Sequence, residues 1–76
     1  MKTELLEQIN KECKTLGGYD IFTLKEIVSR YCYKHRIKKD SPNWLYLIDE
    51  LWCELDGIRA GYESIIDFDS DIGDCL

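Results

Sequence analysis

The residues of this 76-residue chain that could do chemistry are four cysteines, one histidine and a large set of carboxylates. Cys32 and His35 form a C-x-x-H pair, and Cys13, Cys53 and Cys75 stand alone at distant positions. A structural zinc site draws on two close ligand pairs. The second pair is missing, so neither a metal site nor a cofactor is expected. A Cys and a His one helical turn apart could also form a nucleophile and its base, but acyl chemistry needs an oxyanion site beside them. No motif supplies one, and the chain is expected not to be an enzyme. Cys53 falls among carboxylates, not in the electropositive surroundings of a reactive cysteine.

The carboxylates make two groups, Asp49, Glu50, Glu54 and Asp56, then Asp67, Asp69, Asp71 and Asp74. General acid–base work needs two carboxylates in unlike environments facing one pocket. On a helical wheel the first group faces outward together, with Tyr46 among its members. The D-x-D-x-D run from Asp67 resembles the start of an EF-hand loop, but it brings no Glu at the loop's twelfth position. Its expected role is a diffuse attraction for cations. Both groups read as surface rather than as catalytic machinery.

The elements that must position these groups are helical. Residues 42–56 place Trp44, Leu47, Ile48, Leu51, Trp52 and Leu55 at helical spacing, behind N-cap types at Asp40 and Ser41 and a Pro42 suited to the first turn. Gly57 suits the stop. Residues 2–16 carry a stripe of Leu5, Leu6, Ile9, Cys13 and Leu16, ended by Gly17 and Gly18. Residues 23–38 begin with Thr23 and Glu26 in capping-box spacing, with Phe22 placed to staple against Ile27. Leu24, Ile27, Val28, Tyr31, Cys32 and His35 share the inner face of that second helix. After Gly57 the periodicity is ambiguous, and either a short helix or a strand fits. Residues 67–76 read as an acidic, fraying tail.

The expected architecture is therefore a single, mainly α domain over residues 1–76, built as a compact three-helix unit with a short C-terminal β or helical segment. Its order of helix, short extended piece, helix, helix and final segment resembles the general layout of winged-helix domains. That resemblance implies a third helix lying in the DNA major groove. Here the third helix carries Asp49, Glu50, Glu54 and Asp56 and no Lys or Arg. Phosphates repel such a helix, and no cations are present to release counterions, so direct DNA binding is disfavoured.

Charge is divided unevenly along the chain. Residues 1–39 hold nine Lys/Arg against five Asp/Glu, whereas residues 40–76 hold Arg59 alone against ten. The 45% hydrophobic content suffices for one small core and is too high for a disordered chain. No apolar run approaches the roughly 20 residues that span a bilayer, and the charged, amphipathic start lacks a signal-peptide pattern. A cytoplasmic protein without a membrane partner is expected, as a monomer or weak homodimer.

The expected function is that of a small acidic binding module. Tyr46, Asp49, Glu50, Glu54, Asp56, Asp67, Asp69 and Asp71 would present phosphate-like charge to the basic groove of a nucleic-acid-binding protein, as phage-encoded anti-defence inhibitors can. The competing ordinary reading is a merely solvated face. The alternative function is a winged-helix-like transcriptional regulator using Lys34, Arg36, Lys38 and Lys39.

Overall fold

The structure, a computed structural model, describes residues 2–55 and 57–74. Asp56 and Cys75 lie outside the described residues. Four helices and one two-stranded sheet are present among the described residues: α1 Lys2–Glu12, β1 Lys14–Thr15, β2 Gly18–Tyr19, α2 Ile21–Lys34, α3 Pro42–Glu54 and α4 Ile65–Gly73.

The third helix forms as its caps demand. Ser41, rather than Asp40, is the N-cap: its hydroxyl accepts a hydrogen bond from Trp44 N at 3.2 Å, and Pro42 occupies the first turn. Trp44, Leu47, Ile48 and Leu51 are buried along its inner stripe, and Leu55 beyond its end is buried too.

The first helix is shorter than its stripe suggests. It ends at Glu12, and residues up to 16, expected to be helical, instead begin a hairpin that pairs Lys14 with Tyr19 and Thr15 with Gly18 in antiparallel register. Cys13 stays buried, but Leu16 sits at the hairpin tip, fully exposed rather than in the core. Gly57 stands against this hairpin. A Cβ there would come within 2.9 Å of the Tyr19 ring and 3.0 Å of Gly18 Cα. Close approach, not a left-handed conformation, is what requires glycine at this position.

The second helix starts two residues early, at Ile21 rather than 23. Asp20 is its N-cap, accepting from Phe22 N at 3.1 Å and from the Thr23 hydroxyl at 2.9 Å. Thr23 therefore lies inside the helix, and Phe22, expected as a staple, is 86% exposed. The helix also ends early, at Lys34 rather than 38. Ile37 N bonds to Cys32 O at 2.8 Å and Arg36 N to Tyr33 O at 3.3 Å, with Arg36 at φ 55°. These bonds make a Schellman stop with an arginine where glycine is usual.

The largest departure from expectation is at the C-terminal end. Residues 67–73, expected to fray, belong to α4, so the chain beyond α3 takes the helical rather than the β alternative. Ser64 caps α4 by accepting from Asp67 N at 3.3 Å. Phe68 and Ile72 are fully buried, with Phe68 packed edge-on against Tyr62 at 5.3 Å and tilted against Trp52 at 5.8 Å. Burying a side chain such as Phe68 stabilises by about 1.5–3 kcal/mol, which outweighs fraying. The two-stranded sheet lies between α1 and α2 in the chain rather than at its C-terminal end. α1 packs on α2 and α3 on α4, around one core that includes Leu5, Ile9, Leu24, Val28, Trp44 and Phe68.

Candidate functional site

The eight residues expected at the site divide by environment. On α3, Tyr46, Asp49 and Glu54 are exposed, with Tyr46 at 71%, and Glu50 is half-buried. Positions 46, 49, 50 and 53 succeed one another at helical spacing, so Tyr46, Asp49, Glu50 and the exposed Cys53 share one side of the helix. Leu45, 53% exposed, adds apolar surface beside Tyr46. Asp56 belongs to the same set by sequence and lies outside the described residues.

The α4 carboxylates behave differently. Asp67 is exposed, but its backbone N–H is part of the Ser64 cap. Asp69 is half-buried and accepts a 2.8 Å hydrogen bond from Nε1 of Trp44. An indole N–H taken into a core must find an acceptor, and Asp69 supplies it. Asp71 accepts from the Tyr62 hydroxyl and from Lys25 Nζ, the latter at 2.9 Å. The Tyr62 hydrogen bond, then the Lys25 hydrogen bond, hold the Asp71 carboxyl below its ordinary range, and partial burial opposes them. Burial, with the hydrogen bond to Asp71, drives the Tyr62 phenol well above its ordinary range. Asp69 and Asp71, expected to face a partner, instead hold α4 to α3 and α2.

The basic residues are also partly absorbed by the fold. Lys25 is the partner of Asp71. The Lys39 side chain runs across Gly73, where a Cβ would come within 2.6 Å of Lys39 Cε and 3.1 Å of its Nζ. This puts an ammonium at the C-terminal end of α4, whose own last turn has no basic residue, and there the helix dipole favours a cation. The uneven charge of the two halves of the chain is in this part an internal complementarity.

The candidate nucleophile and metal residues do not come together as a reactive set. Cys32 is buried and His35 exposed, with the His35 ring tilted against Tyr31 at a centroid distance of 4.3 Å. Burial pushes the Cys13 and Cys32 thiols up to about 11, with Asp20 and Glu12 adding to the effect at Cys13. Both thiols are kept protonated, as apolar packing residues. Among the described residues no three His, Cys, Asp or Glu side chains gather as metal ligands, and no helix is long and apolar enough to cross a membrane.

Two surface features escaped the sequence. Leu16 at the hairpin tip shares a concavity of about 470 Å³ with Tyr19, Gly57 and Glu54, which brings an exposed leucine beside the acidic helix. Ile66 on α4 is 73% exposed. The alternation of apolar and polar residues could not locate either, because it assigned Leu16 to the core and left Ile66 undecided.

Comparison with known proteins adds no relative: no family model, no curated protein and no solved structure matches the chain.

Proposed function

We propose that this chain is a small acidic binding protein whose α3 face occupies the basic groove of a nucleic-acid-binding protein. The observation that carries the reading is the composition of that face. Asp49 and Glu54 are exposed and Glu50 half-exposed around a protruding Tyr46, on a helix without one Lys or Arg. An aromatic residue among charges is a favoured interface anchor, and the carboxylates steer association with a positive surface. Asp69 and Asp71 leave the proposed contact set because the fold uses them; Asp67 and Asp56 remain in it. In this reading the architecture is a three-helix unit, α1 to α3, with α4 as a buttress that keeps α3 rigid. The role is inhibitory, since a protein that fills such a groove excludes the nucleic acid.

The test is capture from a host lysate, with and without nuclease treatment, at low and moderate salt, using wild type and an Asp49→Lys, Glu54→Lys double variant. Both positions are exposed, so the variant should retain wild-type helicity by circular dichroism. The expected result is a basic nucleic-acid-binding protein retained by wild type, released by salt and lost with the variant. Retention of the same protein by the variant would overturn the assignment to α3. Recovery of DNA itself, abolished by nuclease, would favour a regulator acting through Lys34, Arg36 and Lys38.

A further inference from the structure

A groove between α1 and α2 has no part in the proposed α3 contact. It encloses about 350 Å³ over a floor of Leu5 and Ile27, and one wall carries Arg30, Tyr31, Lys34 and His35. Glu4 stands on the opposite wall as the one carboxylate of the lining. Arg30 pairs with Glu26 through Nη2, and a guanidinium has five N–H donors. The groove is therefore basic and aromatic on one wall, with an apolar base.

Within the same chain α3 presents the opposite character, with Asp49 and Glu54 exposed, Glu50 half-buried between them and Tyr46 exposed beside them. The internal ties account for Lys25, Lys39, Asp69 and Asp71. The α1–α2 groove and the α3 ridge carry onto the surface the division between a basic first half and an acidic second half. We infer that the groove receives the α3 ridge of a second copy of this chain. The occupant is chosen by charge complementarity: an acidic helix bearing a tyrosine meets a cationic wall bearing Tyr31 and His35, in the manner of a helix laid in a groove.

Groove and ridge are different patches, so the contact is heterologous and every bound copy offers a further ridge or groove. The product is an open head-to-tail series. Exposed charges carry the contact, and the screening length falls to about 8 Å at 0.15 M salt and shortens further above it, so association is weak and salt-sensitive. Self-association and capture of a basic partner both use the α3 ridge and therefore compete. The partner reading does not depend on the groove.

The test uses two charge-reversed double variants of the full chain and measures molar mass by light scattering at low salt. Asp49→Lys with Glu54→Lys removes the ridge, and Arg30→Glu with Lys34→Glu removes the groove. Wild type should rise above its 9.0 kDa monomer mass with concentration and return to it in ~0.5 M salt. Each variant alone should stay monomeric. Their equimolar mixture should associate again, because the live groove of one meets the live ridge of the other and the reversed ridge also complements the reversed groove. Arg30→Gln with Lys34→Gln, a milder change to the helix, should weaken association in the same direction if the reversal perturbs folding. A mixture that stays monomeric, a variant that still self-associates, or a wild type at 9.0 kDa at ~1 mM would each overturn the inference. A groove variant that still captures the basic partner would separate this result from the reading of α3 as a partner surface.

Discussion

Replacing Asp71 by alanine should destabilise the protein far more than replacing Asp49, although both are aspartates in the acidic half. Asp71 accepts from the Tyr62 hydroxyl and from Lys25 Nζ, thereby tying α4 to the segment before it and to α2. The Lys25 and Asp71 side chains are 21% and 36% exposed, so solvent screens the pair, and such a pair contributes about 0.5 kcal/mol. A hydrogen bond from a neutral donor to a carboxylate contributes about 1.5 kcal/mol, and losing it strands a partly buried phenol O–H. The sum is about 2 kcal/mol, which for a domain of this size lowers the melting temperature by roughly 10 °C. Asp49 is exposed and its replacement should stay within about 0.5 kcal/mol of wild type. Thermal melts followed by circular dichroism would read both. Equal melting temperatures for the two variants would refute the assignment of Asp71 to the fold and of Asp49 to the surface.

Five further outcomes rest on the structure. Because the Asp71 pKa is depressed, its contribution is complete above the ordinary carboxylate pKa of 3.8 and is lost as pH falls through the lower folded value; acid titration of Asp71→Ala should show a shallower loss of stability than wild type. The Cys13 and Cys32 thiols are raised from 9.0 to about 11, so their contribution is present below pH 9 and declines as pH rises toward 11, which alkaline melts would detect. In native protein Cys53 should react with a maleimide well before Cys13 and Cys32, as peptide mass spectrometry would show. Arg36→Gly should stabilise by about 0.5–1 kcal/mol in urea unfolding by relieving the left-handed stop of α2, whereas Gly57→Ala should destabilise by about 1–3 kcal/mol because its Cβ meets Tyr19 and Gly18.

Where the fold was legible, short-range signals agreed with one another. Pro42 and the Trp44, Leu47, Ile48, Leu51 stripe placed α3 within two residues of its ends. The first two helices were placed less well because two competing signals stood close together. Gly17 and Gly18 read as a helix stop but serve a hairpin, and Asp20 and Thr23 are both capping types three residues apart. The fourth helix had a usable signal in Ser64 with Asp67 three residues on, and in Ile65, Phe68 and Ile72 at helical spacing. The exposed Ile66 next to Ile65 blurred it. The acidic face of α3 needed only the period of one helix and was legible as a face. Sorting the remaining carboxylates was not possible from sequence, because Asp69 and Asp71 are distinguished by Trp44 and Lys25, 25 and 46 residues away. Nothing local to an Asp-x-Asp run reveals partners at that distance.

The measurement that bears most directly on the central claim is a competition titration on the basic protein captured from the lysate. That protein would be bound to a labelled nucleic acid and titrated with wild type and with Asp49→Lys, Glu54→Lys. Wild type should displace the nucleic acid, the midpoint should rise at least tenfold for the double variant, about 1.4 kcal/mol, and Asp69→Asn or Asp71→Asn, where still folded, should displace like wild type. Binding of wild type without displacement, or equal displacement by wild type and the double variant, would contradict that claim.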